Sequence, residues 1–299
     1  MRITKSISVA NEIVQICKTP ELASICLWYV KLLISSCLDG KVKFGCALWN
    51  VTKYKSSGEK LNRIKPNLLK RVLQVPASTP SDAVIYEFGI NDLILDILME
   101  KVILAVETLN CDENRISRRI LEAMMVKNIP GFCTELREAC QILEVSLEKL
   151  LCRSDVRSFL KKKVIEIQAA ELMKRMMVSS KMDKVIFSGF CFDGTMMKYL
   201  NELDFKHARA IFMSRYRMWP TKANYPGRWK DCICNVCGLK DTDSHIFGCP
   251  GYSDIIKGKF TFDAFWSKEV LDDTPKLKEI AMVVLEILDR LEVVQKFGG

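Results

Sequence analysis

Histidine is the scarcest functional residue here, with 2 in a chain of 299. His-based catalysis and a His-rich metal site have almost nothing to draw on. His207 has Cys191 as its nearest potential nucleophile, a pair better read as a packed or surface histidine with an unrelated thiol. No glycine-rich phosphate loop of the P-loop or dinucleotide type is present, which removes the commonest nucleotide-binding chemistries. Long apolar runs are also missing. The most hydrophobic stretch, Leu22 to Leu38, is split by Lys31 and is shorter than the roughly 20 residues a membrane span requires. It reads as a buried helix, and no membrane partner is expected. Arg2, Lys5, Asn11 and Glu12 interrupt the N-terminal apolar residues, so no leader-type apolar core follows Met1. Neither a repeat period nor a low-complexity tract is found.

The rest of the composition is ordinary for a globular protein, 49% apolar and 27% charged. Chain length predicts one large or two modest domains. Cysteine is abundant, 13 residues, but the number is odd and the spacing follows no secreted disulfide framework. Reduced thiols and an intracellular setting, nuclear or cytoplasmic, are expected. Net charge is +9 and unevenly spread: residues 1–80 and 153–230 are basic, residues 81–150 and 231–299 acidic. Such segregation suggests that particular faces meet a polyanion.

Hydrophobic periodicity predicts a mainly α chain, a multi-helix bundle. Helices are expected at Ser8–Lys18, Glu21–Leu38, Leu61–Val75, Asp92–Leu109, Arg115–Val126, Gly131–Leu143, Asp155–Val178, Thr195–Leu203, Phe205–Arg217 and Thr274–Phe297. A short helix opens near Ser81 and stops at Gly89. Lys53–Lys60 reads as a loop, and Val185–Phe192 as the one strand. Asp92 with Asp96, and Asp241 with Asp243, are read as solvated charges rather than paired catalytic carboxylates.

The strongest local signal is Cys234-Asn-Val-Cys237-Gly238, followed by His245 and Cys249. Three thiols and one imidazole make a complete tetrahedral set for Zn2+. Gly238 lets the backbone fold back towards the first two sulfurs, and His245 and Cys249 are spaced to share a helical face. Four protein ligands leave no position for water, so the zinc would be structural. Cys232 is either an alternative ligand or a spectator. Ahead of this knuckle lie Arg209, Arg215, Arg217, Trp219, Lys222 and Arg228, cations interleaved with aromatics in the manner of a surface that binds phosphates and stacks bases. The competing reading puts Phe212, Met213 and Tyr216 in the core with the arginines merely exposed. Lys161, Lys162 and Lys163 form a second basic run, with a solvated helix face as its plain alternative.

Several of these residues carry a resemblance. Trp49, Leu68 to Pro80 and Glu87-Phe-Gly89 resemble the region just after the polymerase palm of non-LTR (LINE-like) retrotransposon reverse transcriptases, and Phe44-Gly45 with Trp49 is similar to the motif that begins it. Leu203, Ala208, Arg209, Arg215, Arg217, Met218, Asn224, the four knuckle ligands, Pro250 and Tyr252 resemble that family's C-terminal segment. The resemblance implies a helical thumb-like domain (1–150), a basic helical connector (151–230) and a CCHC zinc knuckle (231–258); hydrophobic periodicity adds a C-terminal helix (259–299). It implies a grip on template RNA and target DNA in target-primed reverse transcription, with the polymerase on another chain or segment. The palm's metal-binding aspartates are missing from this sequence, as is an endonuclease domain. The expectation is a non-enzymatic nucleic-acid-binding fragment; the alternatives are a zinc-stabilised helical protein-interaction module or a degenerate retroelement remnant.

Overall fold

A computed structural model describes residues 2–17, 27–43, 45–48, 55–179, 181–189, 191–224, 231–256 and 260–297. Phe44, Trp49 and Arg228 lie outside the described residues, as does the start of the helix expected at Glu21. The fold is mainly helical, and the described residues contain no strand. The helices are α1 (Arg2–Cys17), α2 (Leu27–Leu33), α3 (Gly40–Lys43), α4 (Lys55–Val72), α5 (Ser81–Phe88), α6 (Leu93–Leu109), α7 (Ile116–Val126), α8 (Phe132–Ile142), α9 (Leu147–Leu151), α10 (Val156–Met177), α11 (Asp183–Phe187), α12 (Lys198–Glu202), α13 (Phe205–Arg215), α14 (Ser253–Ile256), α15 (Lys268–Leu271) and α16 (Thr274–Phe297). Among the described residues, no helix is long and apolar enough to cross a membrane.

Local chemistry sets the ends of the central elements. Asp92 caps α6, its Oδ1 accepting from the Ile94 and Leu95 amides at 2.8 and 3.2 Å, and Asp204 caps α13 through the His207 amide at 3.1 Å. Both satisfy amides that a helix start leaves without partners. Helix α6 is apolar on most faces because α4, α7, α8, α9 and α10 surround it. Its buried Lys101 is neutralised by Glu135 of α8. Gly89 ends α5 in the left-handed region, φ 55°. A Cβ there would sit 2.0 Å from the Thr195 carbonyl oxygen, so close backbone approach and left-handed geometry both require glycine.

Two expected elements differ. Residues 55–60 belong to α4 rather than to a loop, with Gly58 buried in its first turns. In place of the strand expected at Val185–Phe192, residues 185–187 end the short helix α11, closed by Gly189 at φ 95°, and the described residues that follow in that run are turn and coil. The β-branched residues of α11 favour a strand only where a ladder partner exists, and none runs beside it among the described residues. Val185, 1% exposed, packs into the core from the helix.

Buried apolar residues form one cluster running from Ala10 to Leu291. Helices α12, α13 and α16 pack together at one side of it. The link between this side and α5 is polar: Arg215 Nε of α13 donates to Glu87 Oε1 of α5 at 2.9 Å, and the Tyr216 hydroxyl donates to the same oxygen at 2.6 Å. Glu87 and Arg215 are 0% and 1% exposed. The pair is therefore part of the core.

Candidate metal centre and the basic segment before it

A tight hairpin builds the first half of the centre. Ile233 and Lys240 form an isolated antiparallel bridge. The Cys234 amide donates to the Leu239 carbonyl at 2.7 Å, and the Asp241 amide to that of Cys232 at 2.8 Å. Gly238 turns the chain at φ 73° and donates back to the Cys234 carbonyl at 3.0 Å. The second half is a 3-10 turn, His245–Gly248, entered through the His245 amide bonding to Thr242 Oγ1 at 3.2 Å. It is tighter than the α-turn expected between His245 and Cys249.

The two halves bring Cys234, Cys237, His245 and Cys249 together, with all four ligand atoms within 4.8 Å of one another. Cys234 Sγ lies 3.8 Å from Cys249 Sγ, and Cys237 Sγ lies 3.9 Å from Cys249 Sγ and 3.2 Å from His245 Nε2. This compact cluster can hold a metal ion. Burial opposes ionisation of Cys234, but the Val236 and Cys237 amides and its bonds to His245 and Cys249 outweigh burial and draw the thiol down to about 7. Burial, followed by its neighbours Cys234 and Cys237, pushes Cys249 up to about 12. Cys232 stands apart, its Sγ 3.9 Å from the Lys222 carbonyl. Of the two roles open to it, the geometry gives it that of spectator.

The centre is fastened to the helical body on three sides. Phe247, between His245 and Cys249, meets the rings of Trp219, Phe260, Phe262 and Phe265 at centroid separations of 5.8, 5.9, 5.3 and 5.8 Å. On the second side, Asn224 Nδ2 donates to Asp243 Oδ1 at 2.7 Å and to the Trp219 carbonyl at 2.8 Å, while the Lys222 amide donates to Asp241 Oδ2 at 2.8 Å. Asp241 and Asp243 are each 8% exposed, which corrects their reading as solvated loop charges. Burial raises the Asp243 carboxyl to about 6 even though Asn224 favours its charged form. On the third side, Arg290 of α16 donates to the Gly251 carbonyl at 2.8 Å and grips Asp254 with both amino groups at 2.9 Å.

The basic segment ahead of the centre faces largely inward. Arg215 is buried against Glu87 and donates also to the Phe265 carbonyl, so it cannot reach a phosphate in this fold. Trp219 is 0% exposed and has no face left for a base. Both assignments are corrected: the partners of Arg215, Glu87 and Phe265, and the ring that meets Trp219, Phe247, come from other elements of the chain. Arg209 donates to the Leu73 and Gln74 carbonyls at 3.0 and 3.3 Å and so caps the end of α4. Arg217 pairs with Asp183 at 3.0 Å. Lys222 donates to Asp231 and Asn235 at 3.1 and 2.7 Å, binding the segment to the hairpin.

Lys161 and Lys162 are exposed on α10, whereas Lys163 sits 3.3 Å from Glu166 and 3.8 Å from Glu144. Glu87, Asp241 and Asp243 were missed as site-building residues. The only sequence signal for Glu87 was its place in the Glu87-Phe-Gly89 run, and nothing local marked its partner.

Searches of family models, of curated proteins and of solved structures each return no match. The functional reading rests on the chain's own residues.

Proposed function

We propose that this chain is a non-catalytic nucleic-acid-binding module whose C-terminal knuckle is closed by one structural zinc ion, as in the C-terminal part of a non-LTR retrotransposon reverse transcriptase. The sulfur spacing carries the zinc assignment. Tetrahedral zinc with Zn–S bonds of about 2.3 Å separates two sulfurs by about 3.8 Å, and two sulfur pairs here stand at 3.8 and 3.9 Å. Three thiols and one imidazole fill the tetrahedron, and the borderline-soft donor set suits zinc over magnesium or calcium. Cys234, Cys237, His245 and Cys249 would hold the ion, which would supply folding energy rather than a reactive water. The aromatic and carboxylate fastenings of the knuckle support that role.

The net charge of +9 and the exposed Lys161 and Lys162 support a polyanionic partner. A second reading, a protein-interaction module, is favoured by two observations. Arg215 and Trp219 point inward, and apolar side chains stand exposed on α2 (Trp28, Tyr29, Leu32) and on α7 (Ile116, Ile120, Val126).

Metal content and nucleic-acid affinity across a salt series test the proposal together. One zinc per chain with steeply salt-dependent binding to RNA or DNA supports it, because phosphate contacts release counterions. Zinc without any such binding moves the reading to the interaction module.

A further inference from the structure

We infer that the cleft between α1 and α4 is a binding site for single-stranded nucleic acid; the inference rests on the nucleic-acid reading above and locates its site away from the knuckle. The cleft has a volume of about 570 Å³, and among the described residues Lys60, Arg63, Lys70, Arg71, Asn11 and Asn67 are the polar residues that line it. Among the described residues no carboxylate lines it, so the charged side chains described there are all cationic. Lys60, Arg63, Asn67 and Arg71 are exposed along one side of α4, roughly a turn apart, and the row extends about 16 Å. A regular row of donors of that length fits a linear polyanion better than a single small anion.

Lys70 is the most telling member. The residue lines the cleft yet is only 7% exposed, and its ammonium donates to the Ala77 carbonyl at 3.3 Å. Among the described residues no carboxylate stands within ion-pair distance of it. An ammonium carries three donors, so this cation has hydrogen-bonding capacity that no carboxylate among the described residues satisfies. Burial lowers its pKa from the ordinary lysine value, with Asp82 opposing. A buried charge without an opposite charge beside it is costly, and a phosphate entering the cleft would relieve that cost. Arg71 crosses to Asn11 Oδ1 of α1 at 2.6 Å and fixes the width of the cleft.

The floor discriminates between forms of nucleic acid. Ile64, Leu68 and Val75 lie between the cations and are nearly buried. A single strand with phosphates on the rim turns its bases towards this apolar floor, whereas a duplex presents phosphates and leaves the floor uncovered.

The test is fluorescence anisotropy of a short labelled single strand, as RNA and as DNA, with the full zinc-loaded chain over a salt series. Lys60→Ala/Arg63→Ala removes two exposed cations without touching the core. If both meet phosphates, the slope of log affinity against log salt should shrink by about 1.4, equivalent to roughly 65-fold weaker binding at 50 mM salt relative to 1 M, alike for every sequence. Lys60→Glu/Arg63→Glu should lose more, Lys161→Glu/Lys162→Glu should lose less, and a duplex of the same length should bind more weakly than the strand. Poly-glutamate is the competing occupant. Equal affinity of wild type and Lys60→Ala/Arg63→Ala would overturn the cleft while leaving nucleic-acid binding intact. A duplex binding as well as the strand, or poly-glutamate binding equally with the same dependence on Lys60 and Arg63, would also overturn it. Absence of salt-dependent binding by the wild type would instead remove the underlying reading, and the cleft with it.

Discussion

Replacing Glu87 with glutamine is the most informative perturbation of the interior. The variant keeps the side chain's shape and an oxygen that can accept from the Tyr216 hydroxyl and Arg215 Nε, which now bond to Oε1 at 2.6 and 2.9 Å. It removes the only charge within ion-pair distance of the buried Arg215 guanidinium among the described residues, leaving that cation only neutral acceptors, the amide oxygen and the Phe265 carbonyl. Removing one partner of a buried pair costs about 3 to 5 kcal/mol, because the other charge stays dehydrated and uncompensated. That is a third or more of the roughly 5 to 15 kcal/mol that holds a typical domain together. Arg215→Met should cost a similar amount, since it strands Glu87. The double variant Glu87→Gln/Arg215→Met should recover most of the loss, because two neutral groups replace two charges in a fixed cavity. Urea unfolding followed by far-UV circular dichroism, run as a double-mutant cycle, measures each term. Single-variant losses below about 1 kcal/mol, or additive losses without recovery, would refute the reasoning. The double variant, folded, should also bind nucleic acid like the wild type; a specific loss would return Arg215 to the surface.

Other outcomes follow from the same contacts. His245→Ala should abolish stoichiometric zinc and raise amide exchange across residues 231–256 while α6 stays protected, as read by elemental analysis and hydrogen exchange. Gly89→Ala should destabilise by several kcal/mol or prevent folding, since its Cβ would lie 2.0 Å from the Thr195 oxygen, and urea unfolding reads the loss. Asp204→Ala should cost about 1 kcal/mol at neutral pH through the lost cap. Burial opposes the charge on Asp204, but bonds from His207 dominate and depress its pKa. The cap's stability is therefore present above the ordinary aspartate range and lost as pH falls through the depressed folded value, so the gap between variant and wild type should close in acid.

The knuckle was legible in the sequence because its chemistry is local: four ligands fall within Cys234 to Cys249, and Gly238 marks the turn. Helix α6 was equally readable, since Asp92 supplies a cap and the run to Leu109 is apolar. The inward turn of Arg215 and Trp219 was not readable. An arginine on a helix is ordinarily solvated, and only Glu87, brought up by α5, makes its burial tolerable. Asp241 and Asp243 failed for the same reason, their partners Lys222 and Asn224 lying across a turn with no periodic signal. The strand expected at Val185–Phe192 shows that β-branched residues in a short run do not decide between strand and helix without a partner strand. The cleft between α1 and α4 escaped because nothing local to α4 marks its cations, and only α1, distant in sequence, makes them one wall of a cleft.

X-ray absorption at the zinc edge of the purified, zinc-loaded chain tests the metal assignment most directly. Coordination through Cys234, Cys237, His245 and Cys249 gives three sulfurs at about 2.3 Å and one nitrogen at about 2.0 to 2.1 Å. Four sulfurs would bring Cys232 into the shell in place of His245, and a shell of oxygens and nitrogens alone would contradict the site altogether.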